Sequence, residues 1–182
     1  MLRATLFAVI LGLGGAVAVA DQDDPRLDQL FADLLAAPNY TAAQPAEGAI
    51  WRIWIEHRDQ AVTQLMRKGV AAMNRGDHRG ALEDFDQIVK IAPGFAEGWN
   101  KRATVHYLLG NHEDSLADIA ETLKREPRHF GALSGRGLVY AALDEPELAL
   151  ESFEEALAVH PKMPGPRLNA EAIRRMLEQR DI

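Results

Sequence analysis

Six histidines and three serines are the side chains of this 182-residue sequence with the most evident capacity for chemistry. A metal ion needs several imidazoles or carboxylates that reach one point, as in H-E-x-x-H. His57, His78, His106, His112, His129 and His160 show no such spacing, and His106 and His112 stand six apart with a turn between them. A serine nucleophile needs a strained elbow such as G-x-S-x-G, and Ser115, Ser134 and Ser152 sit in no such motif and in no Gly-rich phosphate loop. Cysteine is absent, so the chain has no disulfide framework and no lipid-attachment thiol. The sequence therefore assigns no catalytic residue, no metal ligand and no cofactor, and His106 reads as a packed imidazole.

What must position the remaining polar side chains is a pattern that recurs three times at an interval of 34 residues between positions 62 and 163. Pro93, Pro127 and Pro161 mark the period, as do Gly69, Ala103 and Gly137, then Ala81, Ser115 and Ala149, then Phe85, Ile119 and Phe153. A mid-helix glycine costs about 1 kcal/mol against alanine, so Gly69 and Gly137 predict close approach of a neighbouring helix. Gly76 and Gly110 end the first helices in the left-handed conformation, and Asp77 and Asn111 can cap the second ones. The third copy has Asp144-Glu-Pro-Glu147 instead, a capping-box-like start. Each proline stops a second helix and turns the chain into the next copy.

These landmarks resemble the tetratricopeptide repeat (TPR), whose pattern is W-x2-L-G-x2-Y, then A-x3-F, then a closing P. The third copy matches best, with Leu133, Gly137 and Tyr140 in its first helix, Ala149, Phe153 and Ala156 in its second, and Pro161. The resemblance implies an all-α, right-handed helical solenoid of three helix pairs (62–95, 96–129 and 130–163) and a concave groove lined by first helices. Carried over by register, the groove positions hold Thr63, Met66, Val70 and Met73 in the first repeat. The second gives Glu97, Asn100, Lys101, Thr104 and Tyr107, and the third Ser134, Leu138 and Ala141. Half are apolar and half carry an amide or hydroxyl, with flexible methionines that suit peptide contacts. The competing reading makes them filler against a terminal helix. TPRs that clamp the C-terminal carboxylate of chaperones carry Lys, Asn and Arg where this sequence has Met66, Val70, Lys101, Gly131 and Gly135, so the resemblance does not extend to that clamp.

The flanks carry their own signals. Arg3, the apolar run from Ala4 to Val17 and the sequence Ala18-Val19-Ala20 have the three regions of a secretory signal. Cleavage after Ala20 into a bacterial periplasm is the expectation, with a membrane anchor as the alternative that the shortness of the run disfavours. In 21–61, Leu27, Leu30, Phe31, Leu34 and Leu35 form one apolar stripe, and a second helix from about Pro45 to His57 carries Trp51 and Trp54. This pair reads either as a degenerate leading repeat or as a hairpin covering the apolar end of the first repeat, and both readings put the tryptophans in a core. In 164–182, Pro164-Gly-Pro166 is expected to break the register before a capping helix that buries Leu168, Ala172, Ile173, Met176 and Leu177.

The net charge is −7, more negative still once Arg3 leaves with the signal, which disfavours nucleic-acid binding. Acid concentrates on second helices, at Glu83, Asp84 and Asp86, Asp114 and Asp118, then Glu151, Glu154 and Glu155, and reads as a solvated outer face. The sequence as a whole points to a periplasmic interaction scaffold, with no membrane span after cleavage, that holds a peptide or helical segment of an envelope protein. The alternatives are a homo-oligomer that self-associates through apolar end helices, or an enzyme whose site the sequence hides.

Overall fold

A computed structural model describes residue 22 and residues 24–180, so the expected signal and its cleavage site lie outside the described residues. Among the described residues nine helices run in order: α1 (Arg26–Ala36), α2 (Tyr40–Ile55), α3 (Gln60–Asn74), α4 (His78–Ile91), α5 (Ala96–Leu108), α6 (His112–Arg125), α7 (Phe130–Ala142), α8 (Pro146–Val159) and α9 (Pro164–Arg180). From α4 onward each helix packs on the one before it, giving three pairs and a terminal helix stacked as an all-α solenoid.

The 34-residue series are the interiors of the pairs. A Cβ on Gly69 would come 2.7 Å from the Phe85 ring, and one on Gly137 would come 2.5 Å from the Phe153 ring. Each glycine is the hollow that receives a phenylalanine from its own second helix. In the middle pair the first helix carries Ala103 and the second carries the slimmer Ile119, both buried. Volume is exchanged across the contact, as close packing requires.

The turns differ more than the sequence suggests. Gly76 and Gly110 have φ of 77° and 79°, and Asp144, one period later, takes the same left-handed region at φ 60°. Asp144 is therefore a turn residue and the expected capping box does not form: Glu145 is the N-cap of α8 and makes no side-chain cap bond. Asp77 caps α4 by accepting the Gly80 N–H at 3.0 Å, whereas Asn111 makes no cap bond and contacts His106 instead.

The acidic residues of the second helices are not all solvated. Asp84 and Asp118 are buried. Lys68 donates to Asp84 at 2.7 Å, Arg102 binds both oxygens of Asp118 at 2.7 Å, and Arg136 at the same register donates to Ser152 at 3.0 Å. Each pair is thus stitched by a side chain sixteen residues upstream of its partner. Arg102 also reaches Asp86 on α4 and lies 5.0 Å from the Trp99 ring, so it joins two pairs. A bidentate guanidinium with a second carboxylate is the arrangement in which a buried charge is well compensated.

The N-terminal hairpin takes neither of its expected places. It lies against the middle and last pairs: Trp54 stacks on His129 at 4.1 Å and meets Phe130 at 5.1 Å, and Arg128 pairs with Asp28 at 2.8 Å. The outer face of α3 shows the reason, because Gln64, Arg67, Lys68 and Ala71 are exposed there and leave little apolar surface to cover. Asn39 accepts the Ala42 N–H at 3.0 Å and starts α2 five residues before Pro45, which sits inside the helix.

α9 also departs from expectation. Pro164, Gly165 and Pro166 form its first turn, where proline is tolerated, so the register continues unbroken. Pro166 and Ala170 are buried and Ile173 packs beside Phe153, whereas Leu168 is 60% and Met176 41% exposed and Ala172 is exposed too. Pro166 and Ile173 fall one period after Ala132 and Val139, which face the preceding pair. Leu168 and Ala172 fall one period after Ser134 and Leu138, and so continue the concave side.

Candidate functional site

Two first helices, α5 and α7, build a cavity on the concave face. Asn100, Ala103, Thr104 and Tyr107 come from α5, and Gly131, Ser134, Gly135 and Leu138 from α7, with Ser115, Ile119 and Met163 closing the floor. The cavity is about 180 Å³. Gly131 and Gly135 of α7, four apart and therefore on one face, both border it, and the bare backbone at Gly135 leaves it open. A Cβ on Gly135 would find only Ile119 Cδ1, at 3.8 Å, so that position borders open space. At Gly131 the Trp51 ring fills the gap, 2.6 Å from where a Cβ would stand.

The walls are more apolar than their composition. The Thr104 hydroxyl donates to the Asn100 carbonyl and the Ser115 hydroxyl to the Ala103 carbonyl, both at 2.9 Å. Those groups are satisfied within the helices and offer little to a ligand. The hydroxyls of Tyr107 and Ser134 make no hydrogen bond among the described residues, and Tyr107 contacts the His112 ring at 5.9 Å. Leu138 is 37% exposed at the mouth. The arrangement is an apolar hole with two free hydroxyls at its rim, suited to gripping one bulky side chain and a polar neighbour.

Of the twelve groove residues expected from register, the structure thus brings Asn100, Thr104, Tyr107, Ser134 and Leu138 around one cavity. The others go elsewhere. Met66 is buried with Val62, Phe85 and Phe95, and Val70 and Met73 pack partly buried against that cluster. Thr63 donates to the carbonyls of His57 and Asp59, each at 3.1 Å, and lines a separate shallow depression. Lys101 lies beside the cavity, paired with Glu97 at 2.9 Å and 5.5 Å from the Trp51 ring centre.

Glu97 anchors a buried polar junction where the hairpin meets the repeats. Its carboxylate accepts from Asn100 at 2.8 Å and from His129 at 3.0 Å. The other ring nitrogen of His129 accepts the Ala132 N–H at 3.0 Å, which leaves Nε2 to carry the donated proton. Burial alone would raise the Glu97 pKa, but the Lys101 charge and the His129 hydrogen bond hold it down at about 2. Here the expected groove residue Glu97 is a covered structural ion.

Sequence reasoning missed Ala103, Ser115, Ile119, Gly131, Gly135 and Met163 as parts of the cavity. The signal was present: two glycines four apart on the groove face of α7, noticed only as positions lacking a cation. Among the described residues no group of three or more His, Asp or Glu side chains is placed to hold a metal ion, and no helix is long and apolar enough to cross a membrane.

The family model described as tetratricopeptide repeat matches residues 66–121 and 100–164. A TPR repeat-containing protein of Rhizobium etli is 33% identical over 136 residues, which span 75% of this chain and 67% of that one. Among solved structures, the Sgt2 TPR domain from Aspergillus fumigatus superposes with a TM-score of 0.64 at 22% identity, covering 68% of this chain and 83% of that one. The first TPR of Spaghetti (RPAP3), bound to the HSP90 peptide SRMEEVD, gives 0.63 at 20% identity, covering 65% and 94%. The chain belongs to the tetratricopeptide repeat family of helical protein-interaction modules.

Proposed function

We propose that this protein is a periplasmic binding module whose concave face holds an extended or helical segment of an envelope protein, after export and cleavage following Ala20. The observation that carries the groove is the cavity between α5 and α7, with the free hydroxyls of Tyr107 and Ser134 at its rim. Peptide binding by the RPAP3 domain supports this use of the fold, but its ligand is acidic and this chain lacks the matching cations: Met66 and Val70 are turned into a core, Lys101 is neutralised by Glu97, and Gly131 and Gly135 are bare. The signal-like residues 1–20 support export.

Cross-linking pull-down from the native envelope tests the reading, with a Tyr107→Ala, Leu138→Ala double variant beside the parent. Truncating central contacts typically costs 1 to 4 kcal/mol, so partner recovery should fall about tenfold or more while the thermal melt is retained. A folded double variant that recovers the same partners at the same yield sinks the groove reading. Intact mass of the exported protein checks the cleavage, with Asp21 expected as the first residue.

A second reading, self-association as a structural protein, draws on the exposed Leu168 and Met176 of α9. On the N-terminal hairpin the tryptophans do not serve it, because Trp54 is buried and Trp51 is packed against His129 and Phe130, whereas Leu35 and Ile55 are exposed there. It predicts a concentration-dependent mass in light scattering that Leu168→Ser abolishes.

A further inference from the structure

We infer that the cavity selects a basic peptide segment: one bulky apolar side chain anchored between α5 and α7, followed by lysine or arginine over the adjacent turns. The inference rests on the groove reading above and adds the chemistry of the occupant. An engineered cavity of about 150 Å³ with apolar walls accepts a benzene ring, so the 180 Å³ here fits a Leu, Met or Phe side chain. Tyr107, on the cavity wall, contacts the ring of His112 at 5.9 Å, and His112 lines a second depression with Gly110, Asn111, Glu113, Asp114 and Leu143. Residues 108–114 and 143–147, the two turns at that edge, contain no lysine or arginine. They carry exposed Glu113, Asp114, Asp144, Glu145 and Glu147, of which Glu147 is approached by Arg180 at 3.8 Å and Asp114 by the His106 ring at 3.9 Å.

Helix starts favour acid for their own sake, and the first turn of α6 illustrates it with Glu113 and Asp114. That preference does not explain the whole pattern. The equivalent turn before α4 carries Arg75, His78 and Arg79 around its capping Asp77, so the turn geometry does not demand an excess of acid. The carboxylates concentrate at the turns that follow α5 and α7, the two helices of the cavity, and are outnumbered by arginines at the turn that follows α3. Charge placed beside an apolar hole chiefly sets which partners are steered in and which are turned away.

The test is selection of a phage-displayed random 12-residue peptide library on the purified exported protein at low salt. Four proteins are compared: the parent, Gly135→Ala, Gly135→Leu, and a Glu113→Gln, Asp114→Asn, Glu145→Gln triple variant. Leucine at 135 grows into the cavity from a position with open space, so it plugs the hole without displacing the core, and Gly135→Ala reports any effect of merely losing the glycine. Melting curves accompany each. The expected result is an enriched pool with one bulky apolar residue and net positive charge. A synthetic member of that pool should bind Gly135→Leu at least tenfold more weakly. It should bind the triple variant roughly tenfold more weakly at low salt, with the difference shrinking at high salt. An enriched pool that is neutral or acidic, or that ignores the triple variant, overturns the basic-peptide inference and leaves the groove standing. No enrichment over an unrelated protein, or equal binding by a folded Gly135→Leu, overturns both.

Discussion

The concave face is closed at one end of α5 and open at the other. Near its start, Glu97, Asn100 and Lys101 interlock with His129 and lie under the Trp51 ring. One to three turns later, Thr104 and Tyr107 face Ser134, Gly135 and Leu138 across an empty cavity. Both stretches occupy groove positions of the same repeat. What stands opposite decides their fate: the N-terminal hairpin supplies an indole over Gly131 at the closed end, and α7 supplies the uncovered Gly135 at the open one. Register gives the direction in which a side chain points, and the neighbouring element decides whether it meets protein or water.

Removing what closes the closed end should have the largest effect. Trp54→Ala strips the stack on His129 and the contacts with Phe31 and Phe130, and truncating such a buried aromatic costs about 3 to 5 kcal/mol. Urea unfolding measures it, and a loss below about 1 kcal/mol would mean that the hairpin does not hold this end shut. Acid should come next. The Glu97 carboxyl is held at about 2 against an ordinary 4.5, so its contribution is complete above pH 4.5 and is lost as pH falls through 2. The depression corresponds to about 3 kcal/mol at most. Glu97→Gln should be less stable than the parent at neutral pH and should lose less on acidification across that window. Parallel stability curves for the two proteins between pH 4.5 and 2 would show that the carboxylate is not the acid-sensitive member.

The repeat landmarks made the three pairs legible because glycine against phenylalanine is a local volume match, repeated without insertions. Five of the twelve expected groove residues gather at the cavity for the same reason: the register fixes which way α5 and α7 face. Met66 escaped because its position in the first repeat is covered by the next pair's Phe95 cluster, which no periodicity within α3 reveals. Placement of the hairpin was hidden for a like reason. Its stripe of Leu27, Phe31 and Leu34 shows that it needs a partner, but only the polar outer face of α3 and the aromatic edge at His129 and Phe130 say which one. Asp84 and Asp118 were misread as surface because charge is normally exposed. The clue was a cation sixteen residues before each, at Lys68 and Arg102, repeating with the period.

The smallest effects come from two glycines two residues apart on α7, and they should differ in sign. Gly137 receives the Phe153 ring, and a Cβ there would stand 2.5 Å from it. Gly137→Ala therefore overpacks the last pair and should cost about 1 to 3 kcal/mol in a thermal or urea melt. Adding Phe153→Ile copies the Ala103 and Ile119 arrangement of the middle pair, so the double variant should be less damaged than the two single changes together imply. Gly135 faces the cavity, where alanine adds a methyl in ordinary contact and removes the conformational cost of a mid-helix glycine. Gly135→Ala should stabilise by up to about 1 kcal/mol. A loss at 135 as large as that at 137 would mean the cavity is not open to a side chain, and the division of the concave face into closed and open ends would fail with it.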